Sequence, residues 1–228
     1  MTVSGDAALI PGRPYPPPAA PESIWPAQAT VLAAIGLQLL LPERLTAGPI
    51  WLLPTLEGLL LVAFATATPR QLEHEHHLRR ELALGLTALV SVANAASLVL
   101  LCRELLGHGV TNGRQLIVAG ALIWLTNVLI FGLWYWQIDR GGPGRRVAGH
   151  DGQPDFLFPQ MDDDRIQPAN WRPRLVDYLY TSLTNGIAFS PTDTMPLTAP
   201  AKSLMGLQSI VSFVTVGLVV ARAVNILH

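Results

Sequence analysis

Four polar side chains fall near the middle of long apolar segments: Glu57, Asn94, Asn127 and Ser212. If these segments cross a bilayer, the four side chains share one layer near its midplane. A carboxylate at that depth is costly, so we expect Glu57 to face other helices and not lipid. Two functions fit the layer. It forms a proton- or cation-binding site, or it supplies hydrogen bonds that join helices at about 1 kcal/mol each.

The last apolar segment carries polar residues on one predicted helical face. Gln208, Ser212, Thr215 and Arg222 follow the spacing i, i+4, i+7 and i+14. This face predicts either the lining of a pore or a contact with a neighbouring helix, since small and hydroxylated residues favour close packing in lipid. Arg222 lies about 13 Å along the helix axis from the centre of the segment. We therefore expect it to extend to the interface and not to pair with Glu57.

Three other groups of reactive side chains have simpler explanations. Residues 73–77 (EHEHH) have the i, i+3 and i, i+4 spacing of metal ligands, but without a second ligand group they indicate a solvated charged segment with a histidine pH response. Residues 162–164 (DDD) lack the glycine and the final glutamate of a calcium loop. Residues 190–193 (SPTD) predict a helix start capped by Ser190, and not a catalytic serine. We predict no catalytic residue, no metal, no cofactor and no enzymatic activity.

The composition places these residues in a membrane protein. The chain has 228 residues, of which 50% are hydrophobic and 14% are charged. Soluble domains contain about a quarter charged residues, and apolar stretches of about 20 residues indicate membrane spans. The formal net charge of −1 gives no reason to expect a nucleic-acid partner. Cys102 is the single cysteine, which excludes an intrachain disulfide.

Hydropathy divides the chain into four regions. Proline-rich residues 1–24 predict a disordered tail without the features of a signal peptide. Residues 25–138 predict a four-helix transmembrane region, with a charged interhelical segment at 70–81. A polar linker follows at 139–173, and residues 174–228 hold a re-entrant loop and a last transmembrane helix. The predicted spans are 27–41, 48–67, 82–101, 115–138 and 201–227.

Two features refine the position of the chain in the membrane. Residues 134–136 (WYW) end the fourth span as an aromatic cluster that suits the headgroup level. Arg140, Arg145 and Arg146 follow directly, and the preference of basic residues for the cytoplasmic side predicts that the linker is cytoplasmic. We therefore expect a multi-pass protein of the inner or plasma membrane.

Residues 174–198 predict a re-entrant helix and loop. A short apolar segment, 178–183, leads into an uncharged turn region and then into the last span. Irregular backbone of this kind survives inside a bilayer only where protein or a water-filled cavity surrounds it. The predicted fold class is therefore an all-α, polytopic membrane helical bundle with about five transmembrane helices plus a C-terminal re-entrant, pore-like helix-loop. The candidate loop residues are Thr184, Asn185, Gly186, Ile187, Ala188, Phe189, Ser190 and Asp193.

The stretch YLYTSLTNGIAFSPTDTMP, residues 178–196, resembles the pore region of tetrameric cation channels of the potassium-channel kind. Residues 182–184 (SLT) match the end of the pore helix, Asp193 stands for the acidic residue, and Pro196 for the proline that follows it. The stretch departs from that pattern at residues 186–190, where GIAFS replaces the glycine-tyrosine-glycine filter. A potassium filter needs that backbone, so the resemblance does not extend to potassium selectivity.

Three segments resemble a group of uncharacterised bacterial integral membrane proteins with a degenerate pore-like loop and a final helix. They are WLTNVLIFGLWYWQIDRGGP, DFLFPQM and FSPTDTMPL. The resemblance implies location in the lipid bilayer and topology, and no mechanism. Since one loop and one helix cannot enclose a pore, we expect a homo-oligomeric, channel-like pore with a monovalent cation as its candidate passenger. The alternatives are a non-conducting membrane scaffold or accessory subunit and, third, an intramembrane enzyme.

Overall fold

The computed structural model describes residues 25–46, 55–59, 73–106, 113–147, 153–162, 171–188 and 193–226. Almost all the regular structure in these residues is helical. The helices are α1 (Trp25–Leu39), α2 (Glu73–Leu106), α3 (Gly113–Ile138), α4 (Pro143–Val147), α5 (Pro159–Asp162), α6 (Leu175–Ala188) and α7 (Ala199–Ile226). Two 3-10 turns lie at Glu43–Leu45 and Asp139–Gly141, and strand β1 (Phe156–Leu157) pairs antiparallel with β2 (Met195–Pro196). Residues 55–59 are also helical.

Helix α3 is the centre of the bundle and contacts α1, α2, α6 and α7. Its C-terminal half lies beside the middle of α2, where the Trp134 indole donates to Ser91 Oγ (3.0 Å) and the Gln137 amide donates to Thr87 Oγ1 (2.8 Å). The two helices are therefore antiparallel. The main core packs apolar side chains of α1, α2, α3, α6 and α7 together with Phe156 of β1.

Three helical segments, residues 80–105, 113–146 and 199–224, are long and apolar enough to cross a membrane. Helix α7 buries polar residues and exposes apolar ones, which is the opposite of a helix in a water-soluble protein. Gln208 and Ser212 are fully buried, whereas Ile210 and Phe213 are 63% and 65% exposed. Large outward-facing apolar surfaces are expected when the surroundings are lipid or another subunit and not water. The all-α bundle therefore has the surface of a membrane protein.

Helix α2 is longer than the span predicted at 82–101. The charged segment 70–81 was predicted to separate two helices, but α2 begins within it, at Glu73. Glutamate, leucine and arginine are strong helix formers, so the charged residues continue the helix beyond its apolar part. The side chains of residues 73–79 lie outside the described part of the chain, and the EHEHH prediction lies there with them.

The described parts of the predicted linker, residues 139–147, 153–162 and 171–173, are more structured than a linker. They contain a 3-10 turn, α4, β1 and α5, and Phe156 of β1 is fully buried in the main core. The disordered tail predicted at 1–24 lies outside the described residues, as do Asp163 and Asp164. Of the second predicted span, 48–67, only residues 55–59 are described.

Of the helix start predicted at residues 190–193, the structure describes only Asp193. Asp193 lies in a bend and residues 195–196 are extended, because β2 pairs with β1 in this part of the chain. Helix α7 begins at Ala199, where the Thr198 hydroxyl accepts a hydrogen bond from the Ala201 amide (3.4 Å). Thr198 therefore caps the last helix.

Candidate functional site

Helix α6 places its polar residues inside the protein and its apolar residues outside. Thr181, Ser182 and Asn185 are buried, whereas Val176 and Ile187 are 65% and 59% exposed. The helix packs on α3 and α7. Its polar face therefore lies between the two longer helices, and its apolar face lies at the surface of the bundle.

Contacts between α6 and α3 show how far α6 extends along the bundle. A Cβ atom added to Gly132 would lie 3.1 Å from Leu179 Cα, so the two backbones approach closely near the C-terminal end of α3. Further along α6, the Trp124 indole donates to the Gly186 carbonyl (3.3 Å). Trp124 lies near the middle of α3, which runs from Gly113 to Ile138. Helix α6 is thus antiparallel to α3 and ends beside its middle.

Gln208 of α7 hydrogen-bonds to residues of both α3 and α6, and so joins the three helices. We call Gln208, Tyr135, Ser182 and Asn185 the Gln208 cluster. Gln208 Oε1 accepts hydrogen bonds from the Tyr135 hydroxyl (2.5 Å) and the Asn185 amide (2.9 Å). Gln208 Nε2 donates to both the carbonyl (2.8 Å) and the hydroxyl (2.7 Å) of Ser182. All four hydrogen-bonding positions of this amide are therefore occupied.

The remaining polar atoms of the Gln208 cluster also have partners. The Ser182 hydroxyl donates to the Val128 carbonyl (2.7 Å), and the Asn185 amide donates to the Met205 carbonyl (3.0 Å). Asn185 Oδ1 accepts from the Ser209 hydroxyl (3.2 Å). A buried polar group without a partner costs free energy, and the cost is greatest where no water can replace the partner. The interface therefore avoids that cost.

The structure brings together two of the four polar residues that were predicted to share one layer. Asn127 Nδ2 donates to Ser212 Oγ (3.1 Å), and both residues are buried. Glu57 and Asn94 are buried as well, but neither carboxylate oxygen of Glu57 nor Oδ1 of Asn94 has a hydrogen-bond partner. The predicted layer therefore contains two kinds of residue, one pair that is joined and two side chains with open positions.

The predicted polar face of α7 is turned toward the interior of the chain over its first three positions. Gln208, Ser212 and Thr215 are buried, and the Thr215 hydroxyl donates to the Val211 carbonyl of its own helix (2.7 Å). Arg222 is partly buried near the C-terminal end of α7. Contacts within the bundle therefore account for Gln208 and Ser212 without a pore along this face.

A second set of polar residues joins the start of α6 to the end of α3, and we call Asp139, Asp155, Tyr178 and Thr198 the Asp139 cluster. Asp139 is fully buried and accepts hydrogen bonds from the Asp155 amide (2.8 Å) and the Tyr178 hydroxyl (2.5 Å). The Asp155 carboxylate accepts from the Arg140 amide (2.9 Å) and the Thr198 hydroxyl (2.5 Å). Three distant segments of the sequence are thereby held together.

The backbone around Asp139 makes an unusual turn. Arg140 has φ 54°, and Gly141 and Gly142 follow with φ 78° and 98°. A positive φ is uncommon for a residue with a side chain, so the two glycines are what this turn requires.

The guanidinium of Arg146 donates to the Trp136 and Asp139 carbonyls (2.9 and 2.8 Å), which caps the C-terminus of α3 with a positive charge.

After α6 ends, the chain returns past the middle of the helix, at Thr181, to the Asp139 cluster beside its first turn. The Thr181 hydroxyl donates to Thr194 Oγ1 (3.2 Å), and the Leu197 amide donates to the Asp155 carbonyl (2.8 Å). Helix α7 then begins at the same end of the bundle and runs back along α3, since Gln208 bonds Tyr135 and Ser212 bonds Asn127.

The predicted loop residues fall into two groups. Thr184, Asn185, Gly186, Ile187 and Ala188 belong to α6, so the helix continues through Ala188 and past Thr184, where the turn was expected to begin. The Thr184 hydroxyl donates to the Tyr180 carbonyl of the same helix (3.0 Å). Phe189 and Ser190 lie outside the described residues, and Asp193 is exposed.

Several residues of the site carried no usable signal in the sequence. Tyr135 and Trp136 were named only as part of an aromatic cluster suited to the headgroup level, and the structure buries both inside the protein, Tyr135 completely. Asp139, Asp155 and Tyr178 were not singled out. Asp139 and Asp155 lie in two of the three segments that carried the family resemblance, but a single sequence does not show that these segments meet.

Comparisons with known proteins add no relative. No protein-family model, curated protein or solved structure matches the chain. Among the residues that the structure describes, no group of three or more His, Cys, Asp or Glu side chains is arranged to hold a metal ion.

Proposed function

We propose that α6 is a re-entrant half-helix in a multi-pass membrane protein with five spans. It has 14 residues, so its length is about 21 Å, whereas the apolar core of a bilayer is about 30 Å thick. Its end lies beside the middle of α3. Thr194 then lies beside Thr181 in the middle of α6, and Thr198 bonds Asp155 of the Asp139 cluster, which also binds Tyr178 in the first turn of α6. A helix that goes halfway along a span and a chain that returns to the starting level fit a re-entrant element.

On this basis the protein is an oligomeric, channel-like cation pore in the inner or plasma membrane. The observation that carries the proposal is the position of the α6 C-terminus. The last carbonyls of a helix bear a negative partial charge, and half-helix ends at the midplane bind cations in transporters. Because Gln208 and Ser212 are bonded within the chain, the pathway lies between copies of the protein and not along that face of α7.

The test is cation flux from proteoliposomes that contain the purified oligomer and are loaded with potassium or sodium. Ile187 is 59% exposed on the last turn of α6, and Val176 is 65% exposed near its first turn. Their separation of 11 residues places them on nearly the same face of the helix. We expect Ile187→Arg to reduce flux, because it adds a positive charge at the end that attracts cations, and Val176→Arg to leave flux unchanged.

Two results would count against this function. Wild-type oligomer that gives no flux of either cation at any ionic strength tested contradicts conduction itself. Flux that is equally sensitive to Ile187→Arg and Val176→Arg contradicts a pathway at the end of α6.

The second candidate is a non-conducting membrane scaffold or accessory subunit. It is favoured by the Gln208 cluster, in which every polar side chain has its partners inside the chain. This candidate predicts that Asn127→Leu lowers thermal stability, and that wild type and variant both show no flux.

A further inference from the structure

Glu57 is the one residue among those described whose buried carboxyl has both oxygens without a hydrogen-bond partner. It is fully buried. Asp139, the other fully buried acid in the described part of the chain, accepts hydrogen bonds at both oxygens. The two acids have the same chemistry and similar burial, so the difference between them lies in their partners.

An ionised carboxylate requires a cation or several donors when it leaves water, and otherwise it takes up a proton. The structure gives Glu57 neither a hydrogen-bond donor nor a salt bridge. The apolar sequence around it, residues 48–67, contains no Lys, Arg or His. A hydrogen bond to a neighbouring helix, which the sequence left open as an explanation, therefore does not account for this residue.

We propose that Glu57 is a proton-binding site inside the apolar part of the protein and is held there as a neutral carboxylic acid. Protonation removes the charge and leaves a polar group that an apolar environment tolerates far better than a carboxylate. The ligand of this site is a proton. The proposal does not depend on conduction at the end of α6.

The test uses dicyclohexylcarbodiimide, an apolar reagent that reacts with protonated carboxyl groups. The carboxylic acid proton moves to a carbodiimide nitrogen while the carboxyl oxygen attacks the central carbon, and an oxygen-to-nitrogen acyl shift then gives a stable N-acylurea. No atom is lost, so the modified peptide gains the mass of one carbodiimide. We expect peptide mapping of the full chain in detergent micelles to place the adduct at Glu57.

Two controls make the result specific. A water-soluble carbodiimide with an amine nucleophile should label the exposed Glu43 and Glu81 and spare Glu57, because that reagent stays in water. Glu57→Gln should abolish the adduct of the apolar reagent and keep the thermal midpoint of wild type, since the amide has the shape of the neutral acid. Mapping of the wild-type protein alone decides the question if this variant does not fold.

The proposal is overturned if the apolar reagent leaves Glu57 unmodified in folded wild-type protein, or if the water-soluble reagent labels Glu57 as readily as Glu81. The first result would indicate an ionised Glu57 with a partner, and the second an exposed one. Neither result bears on the proteoliposome flux, so failure of this site and failure of the channel are distinguishable.

Discussion

Buried polar groups at the interface around α6 have hydrogen-bond partners, whereas Glu57 and Asn94 have buried oxygens that lack them. In the Gln208 cluster every amide and hydroxyl has a partner, and Asn127 is joined to Ser212. Glu57 and Asn94 are equally buried but keep oxygens without partners. In the sequence these residues look alike, since all are polar groups within apolar segments.

The presence or absence of hydrogen-bond partners distinguishes polar groups that position helices from polar groups that can bind a ligand. A polar group whose bonds are complete within the chain fixes the position of helices and has no capacity left for a ligand. A buried group with open positions has that capacity and costs free energy until it is used. We therefore assign the Gln208 and Asp139 clusters to the positioning of α6, and Glu57 to binding. Variants can test this division.

The largest effect is expected for Asp139→Ala. The change leaves the Asp155 amide and the Tyr178 hydroxyl without their buried acceptor, and we expect it to lower the free energy of unfolding by about 3 to 5 kcal/mol. Denaturation in detergent micelles measures the effect. Asp193→Ala is the matched control, because Asp193 is exposed and should change stability by less than about 0.5 kcal/mol. Equal effects of the two changes would show that the Asp139 cluster contributes nothing special.

The next effect is expected for Gln208→Leu. Leucine keeps the apolar bulk but leaves Tyr135, Ser182 and Asn185 each short of a partner, which should cost about 2 kcal/mol. Gln115→Leu serves as control, since Gln115 is exposed and accepts one hydrogen bond from Arg44 (2.7 Å). Stability that is unchanged in Gln208→Leu would mean that the cluster is not what holds α6.

A smaller effect is expected where α6 and α3 approach most closely. The methyl group of Gly132→Ala would lie 2.6 Å from Leu179 Cδ2 and 3.1 Å from Leu179 Cα, so the helices must separate, at about 1.5 kcal/mol. Gly217→Ala of α7 is the control, because nothing lies within 4 Å of the added methyl and alanine favours a helix. Thermal midpoints should move in opposite directions. A parallel shift would indicate a looser contact than the structure shows.

The smallest effect gives the sharpest test of the comparison. Asn127→Leu leaves Ser212 without its partner and should cost about 1 kcal/mol, whereas Asn94→Leu removes an unpartnered oxygen and should be neutral or stabilising. Both changes introduce the same side chain at a buried position. The division into joined and open groups fails if Asn94→Leu is the more destabilising of the two.

Periodicity and hydropathy predicted much of the fold. The spans predicted at 115–138 and 201–227 agree closely with α3 and α7, because a long apolar run bounded by polar residues leaves little choice. The charged start of α2 was missed for the opposite reason, since hydropathy marks where a helix is apolar and not where it ends. The structure of residues 139–147 and 153–162 was missed because it depends on contacts with the distant residues Tyr178 and Thr198.

The sequence identified individual residues of the site but not how they are arranged. Asn127, Ser212, Gln208 and Asn185 were all named as candidates, but their partners were not. Helical spacing shows which residues share a face of one helix, and it carries no information on what the face meets. Tyr135 illustrates the limit, because its position at the end of a predicted span gives no indication that Gln208 lies opposite it.

The most direct test of the account is the membrane depth of α6. Single cysteines at Val176, Tyr180, Ile187 and Asp193, all exposed, can carry spin labels after Cys102 is replaced by serine. Relaxation by oxygen and by a water-soluble nickel chelate in liposomes then reports depth. We predict that the label moves deeper from 176 to 187 and is shallow again at 193. Equal, shallow depth at all four positions would place α6 on the membrane surface and contradict the account.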